Sequence, residues 1–359
     1  RTNLVFALEV SQWDNEEEEM RAVPSVDAVE YIDFSLNSTV LPDEEAIDIN
    51  LSDNTGDSEL RFSTLSENRA TDELTATLDF TLGTDYAKNN FTPVVEGDPV
   101  VTYGGAKVRQ TYKIILPKTT YPVAGTLTVE DVATTKKQIF NITSIPKYEN
   151  TDYKPVLVRG KYSGQEEGED EDRYWAPVNV GATSTTYSVN LAGCGYVFQW
   201  GRNVPFVYGS SNDTYDGPVY PETPVEDYAN KFIATNQADW LQLEEDEEDD
   251  RWQGANAQGP CPDGWRVPTG TELTVLKSNI SSAVTNNRVS VTGVGATLFL
   301  PAAGSRNNSG GWINQGAYGQ YWSSSISGTN ATRMYFNGSS SIINTYGRAF
   351  GFSVRCIQK

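Results

Sequence analysis

The chain has 359 residues, with 48 Asp and Glu against 27 Lys and Arg, a net charge of −21, and no histidine. That charge argues against nucleic acid and anionic membrane surfaces as partners of the chain as a whole, and the missing histidine removes Ser-His-Asp and Cys-His catalysis and any His-ligated metal. At 38% hydrophobic content the chain is long enough for two packed domains.

Residues 2–13 are too short, and too soon followed by the acids Glu16-Glu17-Glu18-Glu19, to form a signal peptide, and no run of 18 apolar residues predicts a membrane span. Residues 4–10, 29–36, 74–82, 111–116, 126–130 and 137–143 carry β-branched or aromatic residues in alternation, separated by Gly, Pro, Asn and Asp, the pattern of strands. Without a convincing helix among them, they predict a β-sandwich of immunoglobulin-like or transthyretin-like type over residues 1–150. Glu16–Glu19 and Asp43-Glu44-Glu45 admit calcium ligation, although a solvated acidic loop suits them better.

Residues 162–172 (YSGQEEGEDED) are polar and acidic and read as an exposed loop or linker. Beyond them the chain turns aromatic and glycine-rich. The seven acids from Glu244 to Asp250 should be solvated and mobile. Residues 269–281 (TGTELTVLKSNIS) form the clearest helix signal, with Thr269 or Thr271 as N-cap, Glu272 in the first turn and an apolar stripe of Leu273, Leu276 and Ile280.

Charge is unevenly placed. The last acid is Glu272, so the final 87 residues contribute +7 and the first 272 contribute −28. Within residues 305–350, 26 of 46 are Ser, Asn, Gly or Tyr and none is Asp, Glu or Lys. Tyr supplies rigid contact area and the small polar residues supply adaptable hydrogen bonds, the chemistry of a recognition surface. In residues 331–337 alternation puts Met334 and Phe336 on a core face and Arg333, Tyr335 and Asn337 on the other. The outward set, with Trp312, Asn314, Tyr318, Asn344, Tyr346, Arg348 and Phe350, is expected to touch ligand.

Six motifs occur in order: YWAPVN at 174–179, FQWGR at 198–202, CPDGWRVP at 261–268, LPAAG at 300–304, YWSS at 321–324 and GFSVRC at 351–356. Together they resemble the Fibrobacter succinogenes major paralogous domain over residues 171–359. The resemblance implies an α+β, C-type-lectin-like domain at 151–359 and places Trp175, Trp200, Trp265 and Trp322 in its core. It implies a disulfide between Cys261 and Cys356, with Cys194 left as a small buried hydrophobe. Some relatives are variable proteins of diversity-generating retroelements, which makes residues 305–350 resemble a variable region. Others sit at the tips of type V pili behind a β-sandwich pilin domain.

The function implied is a cell-surface adhesin or receptor-binding protein, extracellular on a bacterium. Its ligand would be a host or bacterial glycan or protein, and residues 1–150 would contact a neighbouring pilin subunit. No cofactor is expected. No metal is expected at the binding surface either, because calcium-dependent lectins use carboxylates that this stretch lacks. An enzymatic role is not expected: formylglycine-generating enzymes share a lectin-like fold but need catalytic cysteines. A structural pilin or surface-layer subunit remains as the alternative.

Overall fold

In the computed structural model, residues 12–14, 19–21, 33–35, 46–66, 73–102, 107–132, 135, 137–163, 170–188, 190–210, 213–244 and 249–359 are described. The strand expected at 4–10, the acids Glu16 to Glu18 and the cluster Asp43-Glu44-Glu45 lie outside them. The chain separates into two units, one of residues 1–119 with 123–144 and one of residues 120–122 with 145–359.

Alternation builds the first unit. Along Lys137–Ser144 every second residue is buried, with Phe140 and Ile142 inaccessible, and Leu127 and Val129 match them on the antiparallel neighbour Val123–Asp131. With Ile47–Asn50 and Leu74–Leu82 on the flanks these strands form a four-stranded sheet. A second sheet runs Asp33–Ser35, Ser58–Ser66, Lys107–Leu116, Val94–Thr102, and it buries Leu60, Phe62, Tyr112, Ile114 and Leu116. Two sheets that each bury one face make a sandwich-like architecture. Strands Ile47–Asn50, Ser58–Ser66 and Val94–Thr102 add to those read from sequence. The last carries Gly97-Asp98-Pro99, which looks like a turn but forms a bulge between Glu96 and Val100, with Gly97 at φ 72°.

The second unit is organised on a long sheet in the order Phe206–Val207, Tyr196–Gln199, Gly351–Ser353, Gly319–Ser327, Asn330–Phe336, Ser341–Gly347, with Ser305–Arg306 joining Gly351–Ser353 and pairing Trp312–Ile313. A four-stranded sheet of Val156–Gly160, Glu171–Trp175, Ile357–Gln358 and Trp265–Arg266 stands beside it. The helix is Gly270–Ser278. Thr269 caps it, its hydroxyl accepting from the Glu272 amide while the Glu272 carboxylate accepts from the Thr269 amide, a reciprocal capping box.

Two cores result. Leu273 and Leu276 of the helix pack with Tyr321, Met334 and Phe336 on one face of the long sheet. On the other, Trp200, Trp265, Trp322, Phe352 and the disulfide cysteines gather. The four framework tryptophans are inaccessible. Trp200 and Trp322 donate their indole N–H to the carbonyls of Ser323 and Phe198, so their polar ends are satisfied inside the core. Among the described residues no helix is long and apolar enough to cross a membrane.

Candidate functional site

The strand Asn330–Phe336 carries both surfaces of the site. Met334 and Phe336 point to the helix core and are 0% and 1% exposed. Arg333 and Tyr335 point to the opposite face, where register sets Arg333 beside Trp322 and Asn344, Tyr335 beside Gln320, and Tyr346 beside Ala331. On that face opens a cavity of about 130 Å³ lined by Ser305, Ile313, Asn314, Tyr318, Gln320, Arg333, Tyr335, Tyr346 and Phe350. Every lining residue falls within 305–350.

Backbone constraints hold its rim. Gly304 adopts φ 72°, and a Cβ there would meet the carbonyl oxygen of Ile313 at 2.5 Å and the amide of Gln315 at 2.7 Å. Only glycine suits that left-handed crossing next to Ser305. Tyr318 and Tyr335 meet edge to face with ring centroids 5.4 Å apart, and Tyr346 meets Phe350 at 4.7 Å.

Arg333 forms the floor. It is 7% exposed. Its Nε donates to Asn344 Oδ1 at 3.1 Å, its Nη1 donates to Gln320 Oε1, and Gln320 Nε2 donates on to Ser305 Oγ at 2.7 Å. The guanidinium carbon lies 3.7 Å from the Tyr346 ring centroid, a cation–π contact. Burial pushes the Arg333 guanidinium down to about 10, against the favourable fields of Tyr346 and Tyr335, so it remains charged at neutral pH.

Of the ten expected contact residues, Asn314, Tyr318, Arg333, Tyr335, Tyr346 and Phe350 line this cavity. Asn344 stands behind it, accepting from Arg333. Trp312 is turned away: its indole N–H donates to the Ser210 carbonyl at 2.8 Å and its ring packs on Tyr208. Asn337 closes the next turn, its Oδ1 accepting from the Ser339 and Ser340 amides. Sequence reading passed over Ser305, Ile313 and Gln320. Gln320 was recoverable, since it precedes the core residue Tyr321 and so faces the other way.

Arg348 corrects the expectation of an outward contact. It is 3% exposed and lies over Trp200 at 4.4 Å, with Nη1 donating to Asp239 at 3.0 Å and to Asp249, and Nη2 to the Gly328 carbonyl. The strand Ser341–Gly347 has ended by then, so alternation no longer governs the side chain. Asp249 also corrects the acidic run. Residues 245–248 lie outside the described residues, but Asp249 accepts from Arg251 at 2.9 Å and helps hold a largely buried network with Asp239, Arg251 and Arg348.

Burial is the largest influence on the carboxyls of Asp249 and Glu272 and would raise them, but the hydrogen bonds and positive charges of Arg251 and Arg348 at Asp249, and of Arg266 with the Thr269 donors at Glu272, together outweigh it, and both sit below their ordinary values. A carboxyl depressed by folding contributes stability that is complete above its unfolded pKa and is lost as pH falls through the folded value. With ordinary values of 3.8 and 4.5, the denaturant midpoint should stay level from neutrality to about pH 5 and decline below it. Asp249→Asn should flatten part of that decline.

Cys261 and Cys356 form a disulfide with Cα atoms 5.9 Å apart. Cys194 is free and buried, and burial pushes its thiol up to about 12. Residues 210–358 match the sequence model of the Fibrobacter succinogenes major domain, a span that contains the disulfide, the helix and the whole cavity. No curated protein matches the chain.

Proposed function

We propose that this chain, whose C-terminal part carries the Fibrobacter succinogenes major domain, is a surface adhesin or receptor-binding protein that takes ligand into the cavity above Arg333. One observation carries the reading: all nine lining residues come from a single Tyr-, Ser-, Asn- and Gly-rich stretch without a carboxylate. Aromatic anchors in a concave, largely preformed site are the usual carriers of binding energy. The matched domain supports a surface-associated protein. The disulfide that ties the segment before the helix to the last strand supports a C-type-lectin-like framework. An extracellular place on a bacterial pilus, with residues 305–350 as a region of natural variation and no enzymatic activity, completes the reading.

The first unit would then serve assembly. Its strand Val94–Thr102 lies at a sheet edge among the described residues and exposes Val94, Val95 and Val100; edges of this kind template pairing with another chain.

The test is a glycan and surface-protein array probed with the full chain and with Tyr335→Ala and Tyr318→Ala. We expect a specific partner whose affinity falls about thirtyfold in each variant, the loss of about 2 kcal/mol typical of a hot-spot aromatic, while thermal unfolding stays near the parent's. Loss of folding in both would move these tyrosines from contact to core and sink the proposal.

A further inference from the structure

The largely buried arginines of this unit differ in what surrounds their charge. Arg202 and Arg306 face no carboxylate, Arg202 donating to Gln199 Oε1 and to the carbonyls of Tyr228, Ala229 and Lys231, and Arg306 donating through Nε to the Gly310 carbonyl, and neither lines the cavity. Arg348 and Arg251 face Asp239 and Asp249. Arg355 is inaccessible and has no carboxylate, but its three nitrogens donate to Asn179 Oδ1 and to the carbonyls of Ala176 and Phe299. Arg333 meets only two neutral amide oxygens, through Nε and Nη1. Among the described residues its Nη2 has no protein acceptor and the guanidinium has no ion pair. Of these six arginines it is the one that lines the cavity.

A buried charge is ordinarily paired, because leaving water costs several kcal/mol that only an opposite charge and good hydrogen bonds offset. Here the pairing is missing at the floor of an open concavity. No carboxylate follows Glu272 in the chain, so an entering anion meets no repulsion from the stretch that builds the walls. Those walls also set the shape of the guest. Tyr318 and Tyr335 present aromatic surface, and the Asn314 amide stands at the rim. Aromatic rings accept the C–H faces of a saturated ring, and polar groups on the rim accept or donate to its hydroxyls.

Resting on the recognition reading above, we propose that the cavity is a subsite for a carboxylate-bearing sugar, a uronic-acid residue whose carboxylate meets the Arg333 guanidinium while its ring lies against Tyr318 and Tyr335. A carboxylate brings one charge for one charge, in the planar form that a guanidinium matches.

D-glucuronate is the probe, titrated calorimetrically into the full chain, with D-glucose as the uncharged ring and acetate as the anion without a ring. Glucuronate should bind about tenfold tighter than either, since a charge-assisted hydrogen bond contributes about a factor of ten or more. Asn344→Asp and Gln320→Glu each place a carboxylate against Arg333 with almost no change of volume; both should bring glucuronate down to the glucose level while leaving thermal stability unchanged or raised. Equal binding of glucose and glucuronate, acetate binding as tightly as glucuronate, or undiminished binding in both variants would overturn the proposal. Stronger binding of a peptide through its free C-terminal carboxylate would also overturn it, assigning the site to a chain end. The array partner separates this proposal from the one beneath it. If that partner is lost in Tyr335→Ala but kept in Asn344→Asp, recognition stands and the anion subsite falls. If both variants keep it, the recognition reading itself falls.

Discussion

Arg348→Ala should lower the unfolding free energy by about 3–5 kcal/mol, the range for removing one partner of a buried ion pair, read as a lower denaturant midpoint at unchanged slope. The physical reason is the state of what remains. Asp239 and Asp249 have side chains only 10% and 14% exposed and would keep Arg251 as their single cation, with two carboxylates sharing one guanidinium. The carbonyls of Asn330 and Gly328 would also lose their donor, and the face of Trp200 would lose the cation lying on it. Arg348→Lys should recover only part of the loss, because an ammonium cannot span two carboxylates and two carbonyls with the geometry of a planar fork. An Arg348→Ala chain as stable as the parent would mean that the network contributes nothing net.

Replacing both Cys261 and Cys356 with alanine should cost a further amount of similar size. The bridge closes a separation of 95 residues, for which the chain-entropy account gives about 3–5 kcal/mol. Both cysteines are buried in the tryptophan-rich core, so the loss adds to a small cavity penalty rather than to a surface change. The parent chain measured with a thiol reductant should show that drop less the cavity penalty, without any substitution. A parent whose midpoint ignores reductant would show that the bridge merely records proximity. The two losses should add only partly, since Trp200 touches both the ion network and this core.

The parts of this molecule that could be read from sequence are those where local chemistry and tertiary role coincide. Thr269 and Glu272 announce the helix start because capping is a local device; of the two candidate caps, Thr269 and Thr271, the structure takes Thr269 and completes a capping box with Glu272. The alternation of Arg333, Met334, Tyr335 and Phe336 was legible for the same reason, since a strand's two faces follow from a period of two. Arg348 was not. It follows the end of its strand, and its partners Asp239 and Asp249 are about a hundred residues away, Asp249 in an acidic run that reads as solvated. Val94–Thr102 was missed because Gly97-Asp98-Pro99 at its bulge has the composition of a turn. Gln320 is a different case: alternation from Tyr321 puts it on the site face, but its bond to Arg333 becomes visible only once the strands pair and set it opposite Tyr335.

The site's placement on a strand has a consequence for how such a protein can change over generations. A loop diversifies by altering its own path, and each new sequence has to find a new backbone. In Asn330–Phe336 the path is fixed by Met334 and Phe336 against the helix and by ladders on both sides. Novelty at Tyr335 therefore arrives as a change of chemistry at a constant address. Many surfaces are compatible with one fold here, provided that substitution falls on alternate residues and spares the ones between.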